Sequence, residues 1–336
     1  MNPKRSLTYL FASATLLGAC VAGAAQSDAT QASVGFPQRP VTVIVPWPAG
    51  GFTDVYARKV SEKMAQDLGQ PVIVENKPGA NGAIGTAFVA RSNPDGYTIV
   101  IETADTHAIN PSIYPPADLR YDPIKDFRQV SILSSQPLIL AVGGNVAARS
   151  VDDLVRMAKA RPGELSYATW GKGSVPHLGI VRFSKVAGID LNHIPYKGVS
   201  PAAMDVMAGR VDMMLTGLFT SSDHFKNGTM RPLAAASNQR MAMMPELPTL
   251  QELGYPDLEL RLWYGLGVPT GTPDAVVERL HKAASVAMAS DDIKALLDKN
   301  GMDIHNYDPA RATQHVLKER ERWAAAAEAA GDGLGN

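Results

Sequence analysis

Short apolar runs alternate with amphipathic segments along most of the chain. The apolar run VTVIV occupies 41–45, and a helical pattern follows at 54–68, where Val60, Met64 and Leu68 fall on one side. Buried strands typically appear as short apolar runs, whereas amphipathic helices repeat apolar positions every three or four residues. This alternation predicts an α/β fold with mostly parallel sheets.

The same alternation continues to the C-terminal end. Further strands are predicted at 71–76, 97–102, 130–143, 165–171, 193–196, 211–217, 231–237, 258–268 and 302–307. Further helices are predicted at 83–91, after Ser150, and at 174–188, 273–289, 291–300 and 308–329. Another helix is expected to begin with Ser200 as its N-cap and Pro201 at its first position, because these residue types are favoured there. Gly69 is expected to end helix 54–68.

Two of the predicted strands, 130–143 and 258–268, are longer than the others. They bracket the middle of the chain, so the simplest topology joins two lobes by two crossings, with hinge motion at 134–137 and 259–263. The predicted first lobe comprises 36–134 and 260–336, and the predicted second lobe comprises 135–259. Ligands of open α/β sheets bind beyond the carboxyl ends of the strands, so the cleft between the lobes is the expected site.

Composition excludes one class of partner. The chain has 336 residues, 45% of them hydrophobic, and 32 basic residues nearly balance 33 acidic ones, for a formal net charge of −1. Proteins that bind nucleic acids or membrane surfaces commonly carry a basic excess that attracts phosphate groups. We therefore expect no nucleic-acid partner, and the length suits two ordinary domains.

The N-terminus has the three parts of a secretory signal peptide. Lys4 and Arg5 precede an apolar run, and small residues follow it. The run is too short for a convincing membrane span, so a signal peptide over 1–26 and export to the periplasm are predicted. Two kinds of processing stay open. The sequence AGA at 22–24 suits ordinary cleavage, whereas LGAC resembles a lipoprotein box that would lipidate Cys20, the only cysteine.

Enzyme signatures are absent from the sequence. The chain has no P-loop, no dinucleotide-binding fingerprint, no G-x-S-x-G elbow and no H-E-x-x-H motif. Its seven histidines show no metal-ligand spacing, so neither a cofactor nor a metal is predicted. His107 is expected to hydrogen-bond loop backbone, and His177 to serve either as a helix-end partner or as a cleft residue. Two alternatives to a binding protein remain: a secreted hydrolase that uses Ser174 and His177, and a structural surface lipoprotein without a ligand.

Three loops share one design, in which a strand is followed by a loop rich in Gly, Ser, Thr or Pro and then by a helix. The first loop, PWPAGGFTD, is 46–54; the second loop, TWGKGS, is 169–174; the third loop, YKGVSPA, is 196–202. A helix N-terminus carries about half a positive charge and several unpaired N–H groups, so it can bind an anion. Three such loops at one cleft predict an anion site, whereas each loop alone could be an ordinary turn.

The longer motifs resemble a known family. The segments FPQRPVTVIVPWPAGGFTD, VENKPGANGAIGTAFVARSNPDGYT, HAINPSIY and HIPYKGVSPAAMDVMAGRVDMM look like Bug-type extracytoplasmic receptors, the substrate-binding proteins of tripartite tricarboxylate transporters. The likeness runs from about residue 36 to about residue 315. It implies a two-lobe type II periplasmic-binding-protein fold with a central ligand cleft. It also implies binding of a small carboxylate, delivery to the membrane components of such a transporter, and no catalysis, with the receptor acting as a monomer.

The resemblance further implies which residues hold the ligand. In that family the first and second loops hold the ligand's carboxylate, partly through ordered waters, and the third loop contributes from the other lobe. The implied ligand-binding residues are Trp47, Ala49, Gly50, Gly51, Phe52 and Asp54 in the first loop, Thr169, Trp170, Gly171 and Ser174 in the second, and Lys197, Gly198 and Ser200 in the third. Because a carboxylate repels an anionic ligand, Asp54 is expected to cap helix 54–68, hold a water or pair with a ligand amine.

Aromatic residues in the loops indicate the body of the ligand. Phe52 and Trp170 stand where the family commonly has small residues, and Trp47 lies in the first loop. Aromatic faces favour flat apolar bodies, so an aromatic or otherwise bulky mono- or dicarboxylate is predicted rather than citrate. Two variants stay open: one or more rings could pack into the lobe core, and the ligand could be an amino acid or another nitrogen-bearing acid that pairs with Asp54 or Asp105.

Overall fold

The computed structural model describes residues 35–331, apart from the side chain of Ala330. The predicted signal peptide at 1–26, its Cys20 and the C-terminal residues 332–336 lie outside the described residues. Within the described range the strands are β1 (Val41–Val45), β2 (Val72–Asn76), β3 (Thr98–Thr103), β4 (Phe127–Gly143), β5 (Ser166–Thr169), β6 (Asn192–Pro195), β7 (Met213–Thr216), β8 (Met230–Ala236), β9 (Arg261–Pro269) and β10 (Asp303–Tyr307).

Helices separate most of these strands. They are α1 (Phe52–Leu68), α2 (Ala83–Ala90), α3 (Asn110–Ile113), α4 (Pro116–Leu119), α5 (Val151–Ala160), α6 (Val175–Ala187), α7 (Val199–Met207), α8 (Leu218–Asn227), α9 (Asp274–Ala289), α10 (Asp291–Lys299) and α11 (Pro309–Ala330). A short π-helix, Asp105–Ile109, follows β3 directly. No helix among the described residues is both long and apolar enough to cross a membrane.

The strands form two regions of sheet that share β4. In the first region β1 lies between β2 and β3 and runs parallel to both. In the second region β5 runs parallel to β6 and β7. The strands that link the regions are antiparallel, since β9 pairs with β3 and β4, while β4 also pairs with β7, β8 and β10. The prediction of mostly parallel sheets is therefore wrong for the linking strands, because a chain that crosses and later returns must run in both directions.

The two predicted crossings lie side by side where β4 pairs with β9. Their pairing continues through Ser135 with Trp263 to Pro137 with Arg261. Immediately beyond, Leu138 of β4 pairs with β8 of the second region. We call the first region with its helices the first lobe and the second region with its helices the second lobe. The exact lobe boundaries and the hinge motion stay predictions.

Several helix ends lie where the sequence predicted them, but the start of α7 does not. Gly69 takes a left-handed conformation at the end of α1, and the Ser150 hydroxyl accepts a hydrogen bond from Asp153 N at 3.1 Å at the start of α5. The predicted start of α7 is wrong, because Gly198 is the N-cap and the helix already includes Ser200. Pro201 is tolerated in this first turn because its missing N–H would have no partner inside the helix.

Candidate functional site

A cavity of about 150 Å³ lies where the loops of both lobes converge. Its wall includes the starts of helices α1, α7 and α8, Trp170, and residues of β3, β4 and β9. A water needs only about 10–15 Å³ of such space, so the cavity can hold a small organic molecule. The wall is mainly apolar, as is usual for small-molecule sites.

The first loop supplies the largest share of the predicted site residues to the wall. Trp47, Ala49, Gly51 and Phe52 line the cavity, whereas Gly50 and Asp54 do not. Helix α1 begins at Phe52 with Gly51 as its N-cap, two residues before the predicted start. Gly50 has a φ of 84°, a conformation that favours glycine and that turns the chain sharply toward the helix.

Asp54 holds the first loop from behind instead of contacting the cavity. Its carboxylate accepts hydrogen bonds from Gly50 N at 3.0 Å and from Asn76 Nδ2 at 2.9 Å, and it pairs with Arg58 at 3.0 Å. The Asn76 amide also donates to Trp47 O at 3.0 Å. Burial alone would raise the pKa of Asp54, but these hydrogen bonds and the Arg58 charge outweigh it and lower the pKa. The predicted role of Asp54 as a helix cap is wrong, because Gly51 is the N-cap and Asp54 lies inside the first turn. Its bond from Gly50 N favours a structural role in the loop over contact with a ligand amine.

The second loop behaves differently from its prediction. Trp170 lines the cavity, while Thr169, Gly171 and Ser174 do not. The Ser174 hydroxyl donates to Gly171 O at 2.6 Å, so it stabilises the turn inside the loop. Thr169 Oγ1 lies 2.7 Å from His193 Nε2 of the neighbouring strand β6. Of the predicted residues in this loop only Trp170 lines the cavity, and ligand contacts of Thr169, Gly171 and Ser174 stay predictions.

The third loop contributes Gly198 and Ser200 to the wall, whereas Lys197 is exposed and does not line the cavity. Gly198 has a φ of 148°, and a Cβ atom built there would lie 3.2 Å from Pro48 Cγ of the first loop. Any larger residue would therefore strain the backbone and press on the first loop. Glycine at this position lets loops from the two lobes approach each other beside the cavity.

Sequence analysis missed several residues of the wall. Gly217, Phe219 and Thr220 belong to the start of α8, an unpredicted helix. The strand–glycine–helix order at Thr216, Gly217 and Leu218 repeats the design of the three loops and could have revealed it. The other missed residues come from β3, the crossings, and positions next to predicted site residues: Pro48, Thr53, Thr103, Gln136, Val199, Pro201, Leu262 and Tyr264. Asp105 of the π-helix, which the sequence named as a possible partner of a ligand nitrogen, also lines the cavity.

The predicted aromatic residues meet others that the sequence did not single out. The Phe52 ring stacks on Tyr56 with 5.4 Å between ring centroids. It also meets Phe219 edge-on at 5.1 Å and Tyr264 at 5.3 Å. Phe52 is buried and lines the cavity, so it takes part in both core packing and the wall. The two uses of this ring, which the sequence left as alternatives, occur together.

Asp105 supplies a negative charge to the wall of the cavity. Among the described lining residues it is the only one with a charged side chain. Its carboxylate accepts hydrogen bonds from Val175 N at 2.8 Å and from Trp170 Nε1 at 3.3 Å, both from the second lobe. Burial raises the pKa of Asp105 to about 6, against the lowering effect of these hydrogen bonds. The group is therefore mainly ionised at neutral pH.

The histidines near the site are engaged elsewhere. His177 Nδ1 accepts a hydrogen bond from Gly173 N at 2.9 Å, so His177 is the helix-end partner of the two alternatives. Its ring stacks on His193 with centroids 4.0 Å apart, and burial lowers the pKa of His177 to about 3. His107 bonds to side chains rather than to loop backbone, since its Nδ1 lies 2.9 Å from Thr106 Oγ1. That correction follows from its complete burial.

The hydrolase alternative gains no support from this geometry. The Ser174 hydroxyl donates to Gly171 O, and the hydrogen bond of His177 Nδ1 comes from Gly173 N. A nucleophile needs a base within hydrogen-bond reach, and here both side chains serve the backbone of their own loop. Within the described residues no group of three or more His, Cys, Asp or Glu side chains is arranged to hold a metal ion.

Comparison with known proteins extends over most of the chain. Residues 56–331 match the family model described as tripartite tricarboxylate transporter family receptor. Protein BugT of Bordetella pertussis (strain Tohama I) is 34% identical over 290 residues, which cover 86% of this chain and 88% of BugT. A match of this extent involves both lobes.

Two solved structures are similar in three dimensions. Rpa4515 of R. palustris with adipate is 34% identical, with a TM-score of 0.84 over 88% of this chain and 98% of that chain. MatC of Rhodopseudomonas palustris with bound malate is 30% identical, with a TM-score of 0.82 over 87% of this chain and 100% of that chain. The predicted two-lobe type II periplasmic-binding-protein fold is confirmed by these matches and by the shared crossing strand β4.

Proposed function

The chain belongs to the tripartite tricarboxylate transporter receptor family, and from this premise we propose that its cavity binds one small carboxylate for delivery to a membrane transporter of the tripartite tricarboxylate type. The observation that carries the proposal is the convergence of three helix starts on one cavity. Helices α1 and α7 begin at lining residues, Phe52 and Val199, and α8 contributes its N-cap Gly217 together with Phe219 and Thr220 of its first turn.

The helix starts supply what a carboxylate needs. The first N–H groups of a helix have no partner inside the helix, and the helix dipole adds about half a positive charge at that end. Phe52 and Thr53 of α1, Val199 and Ser200 of α7, and Phe219 of α8 stand in these first turns and line the cavity. An anion can be bound here although the described wall contains no Arg or Lys side chain.

Relatives support a carboxylate as the ligand class. The similar structures of Rpa4515 and MatC contain adipate and malate, and both compounds are dicarboxylates. The aromatic residues in the wall of this cavity favour a larger body. Trp47, Phe52, Trp170 and Phe219 all line it, and well-placed ring contacts add about 0.5–1.5 kcal/mol each beyond area burial. We therefore propose an aromatic or otherwise bulky acid in preference to citrate.

Binding and release are proposed to use hinge motion of the lobes about the paired crossings. The lobes touch beside the cavity, where Phe52 meets Phe219 and Gly198 approaches Pro48. Separation of the lobes would break these contacts and widen the entrance for a ligand. Small-angle scattering is expected to give a smaller radius of gyration with a saturating ligand than without it. An unchanged radius would contradict the hinge proposal.

Location and partner complete the proposed function. Export through the segment 1–26 would place the receptor in the periplasm, where the membrane components of its transporter can be reached. Labelling with radioactive palmitate distinguishes a free receptor from one that is attached to lipid through Cys20. Incorporation that disappears in Cys20→Ala would establish the attached form.

The carboxylate site is tested by comparing an acid with its primary amide. Calorimetry with benzoate and benzamide, and with para-toluate and para-toluamide, changes only the group that is proposed to meet the helix starts. We expect each amide to bind at least about tenfold more weakly than its acid, because it brings no negative charge to the helix dipoles. Equal affinities within both pairs, or no binding by a broad panel of acids, would contradict the proposed function.

A further inference from the structure

Helix α6 starts beside the cavity, but a side chain of the protein already occupies its N-terminus. Asp105 Oδ1 accepts a hydrogen bond from Val175 N, the first residue of α6, and Oδ2 accepts one from Trp170 Nε1. This carboxylate takes the position that an anionic ligand group would take at an open helix start. Helix α6 therefore offers no site for a ligand's carboxylate unless Asp105 moves.

Buried contacts hold the π-helix that carries Asp105. His107, two residues later, has its Nε2 atom 3.0 Å from Glu102 Oε1, and both side chains are fully buried. The Tyr121 hydroxyl donates to Thr106 O at 2.6 Å. Displacement of Asp105 would break its own two hydrogen bonds. Both donors belong to the second lobe, so the Asp105 carboxylate is part of the wall while the lobes are in contact.

A second acceptor without a donor belongs to the same wall. Gln136 Nε2 donates to the Tyr264 hydroxyl at 2.8 Å, while Gln136 Oε1 is buried and has no hydrogen-bond partner. Gln136 is only 3% exposed, so this oxygen is not hydrated by bulk solvent. Asp105 lines the same cavity as Gln136 and Tyr264. Burial raises the pKa of the Tyr264 phenol, and the charge of Asp105 raises it further. This part of the cavity is rich in acceptors and contains a negative charge.

The negative charge of Asp105 distinguishes dicarboxylates from acids that carry an ammonium or another N–H group. A dicarboxylate in this cavity can place one carboxylate at the starts of α1, α7 or α8, but its second carboxylate finds no cationic side chain in the described wall. Near Asp105 it also meets a like charge in an environment where water screens little. An ammonium or another N–H group in that position instead gains an opposite charge and a hydrogen-bond acceptor.

We propose that Asp105 determines the substrate class of this receptor: a monocarboxylate that carries an amino or other N–H donor group away from its carboxylate. This inference rests on the proposed carboxylate-binding function. The open helix starts take the carboxylate, Asp105 takes the N–H donor, and a second carboxylate is rejected. Asp105 is thereby a specificity-determining residue that contacts the ligand.

The experiment uses matched acids that differ only at the far end. An aliphatic set comprises ε-aminohexanoate, hexanoate and adipate, with shorter and longer members of each kind. An aromatic set comprises para-aminomethylbenzoate, para-toluate and terephthalate. Calorimetry on the purified full-length mature protein at neutral pH is expected to rank the amino acid first, the neutral acid second and the diacid last in the better-bound set. We expect about tenfold or more between first and last.

Variants connect the ranking to Asp105. Asp105→Asn keeps an acceptor for Val175 N and removes the charge, so the preference for the amino acid over the diacid is expected to fall by about tenfold. Asp212→Asn is the matched control. Asp212 is a half-buried carboxylate that accepts a backbone hydrogen bond from Ser166 N at 2.7 Å, and it does not line the cavity. Asp212→Asn is expected to keep the wild-type ranking.

The outcomes separate this inference from the function on which it rests. The expected wild-type ranking, lost in Asp105→Asn and kept in Asp212→Asn, supports the inference. Diacids that bind wild type as tightly as the matched amino acids overturn it and leave the carboxylate receptor standing. The same holds for a ranking that Asp105→Asn leaves intact. If Asp105→Asn does not fold, the wild-type ranking alone decides. Absence of binding by every acid overturns both the inference and the proposed function.

Discussion

Helices α1 and α6 begin in similar sequence contexts but meet the cavity in different ways. Each follows a strand and a glycine-containing loop, and each has a buried aspartate close to its first turn. Asp54 accepts a hydrogen bond from Gly50 N behind the first loop, which leaves the start of α1 free to face the cavity. Asp105 comes from the other lobe and binds Val175 N directly, so the start of α6 is occupied.

The two carboxylates also differ in their surroundings, which shift their pKa values in opposite directions. Asp54 is surrounded by donors and by Arg58, which lower its pKa in spite of burial. Asp105 has two donors but no cation among its hydrogen-bond partners, and burial raises its pKa to about 6. Asp54 therefore stabilises the first loop without lining the cavity, whereas Asp105 gives the cavity wall a negative charge.

The largest expected effect is a loss of stability on removal of the Phe52 ring, which lies at the start of α1. Phe52→Ala removes a buried ring that contacts Tyr56, Phe219 and Tyr264. We expect the free energy of unfolding to fall by about 3–5 kcal/mol, as for other buried Phe→Ala changes. Urea denaturation measures it. Phe88→Ala, at a side chain that is 45% exposed, is the control and should change stability by less than about 0.5 kcal/mol. Equal effects of the two variants would contradict the buried ring cluster.

The next effect is the opposite pH dependence of the two aspartates. The native state holds a proton on Asp105 up to about pH 6, whereas the unfolded chain releases it near 3.8. The stabilising contribution of Asp105 is therefore present below about pH 4 and is lost as pH rises through about 6. Relative to Asp105→Asn, wild type should lose on the order of 2–3 kcal/mol over this range.

Asp54 should show the reverse sign. Because its pKa in the folded protein is lowered from 3.8, its contribution is present above about pH 4 and is lost as pH falls further. Urea titrations of wild type, Asp54→Asn and Asp105→Asn between about pH 3 and pH 7 measure both differences. Difference curves of the same sign for the two variants would contradict the account of their surroundings.

A smaller effect separates two serines that the sequence placed in one site. The Ser174 hydroxyl bonds to Gly171 O inside the second loop, whereas Ser200 lines the cavity. Ser174→Ala should cost about 1 kcal/mol of stability and leave acid affinity unchanged within a factor of about two. Ser200→Ala should alter affinity and have less effect on stability. Calorimetry and denaturation of both variants check this, and a reversed pattern would return the second loop to the binding site.

The parts predictable from sequence were those with a local pattern. The apolar runs at 41–45 and 71–76 predicted strands, and the strand–loop–helix order located the first loop beside a site. Helix α8 was missed because GLFTSSDHF has no clear apolar repeat, although its starting glycine was a usable signal. The first-turn position of Ser200 was also missed, since Gly198 could equally serve as the N-cap.

The sequence named Asp105 as a possible partner of a ligand nitrogen, but its contact with the start of α6 has no local signal. Its partner Val175 lies 70 residues away in sequence, and the contact exists only after the two lobes fold around the crossings. The backbone near His107 was expected to form a loop, whereas Asp105–Ile109 forms a π-helix. A charged residue in such a segment can be exposed, paired or buried, and only long-range packing decides which.

The most direct test of the account is a crystal structure with the tightest-binding acid from the matched sets. We expect its carboxylate oxygens within hydrogen-bond distance of backbone N–H groups at the starts of α1, α7 or α8. We also expect Asp105 to remain bound to Val175 N, with the ligand's N–H group directed toward the Asp105 carboxylate. A ligand carboxylate bound at the start of α6, with Asp105 displaced from Val175 N, would contradict the account.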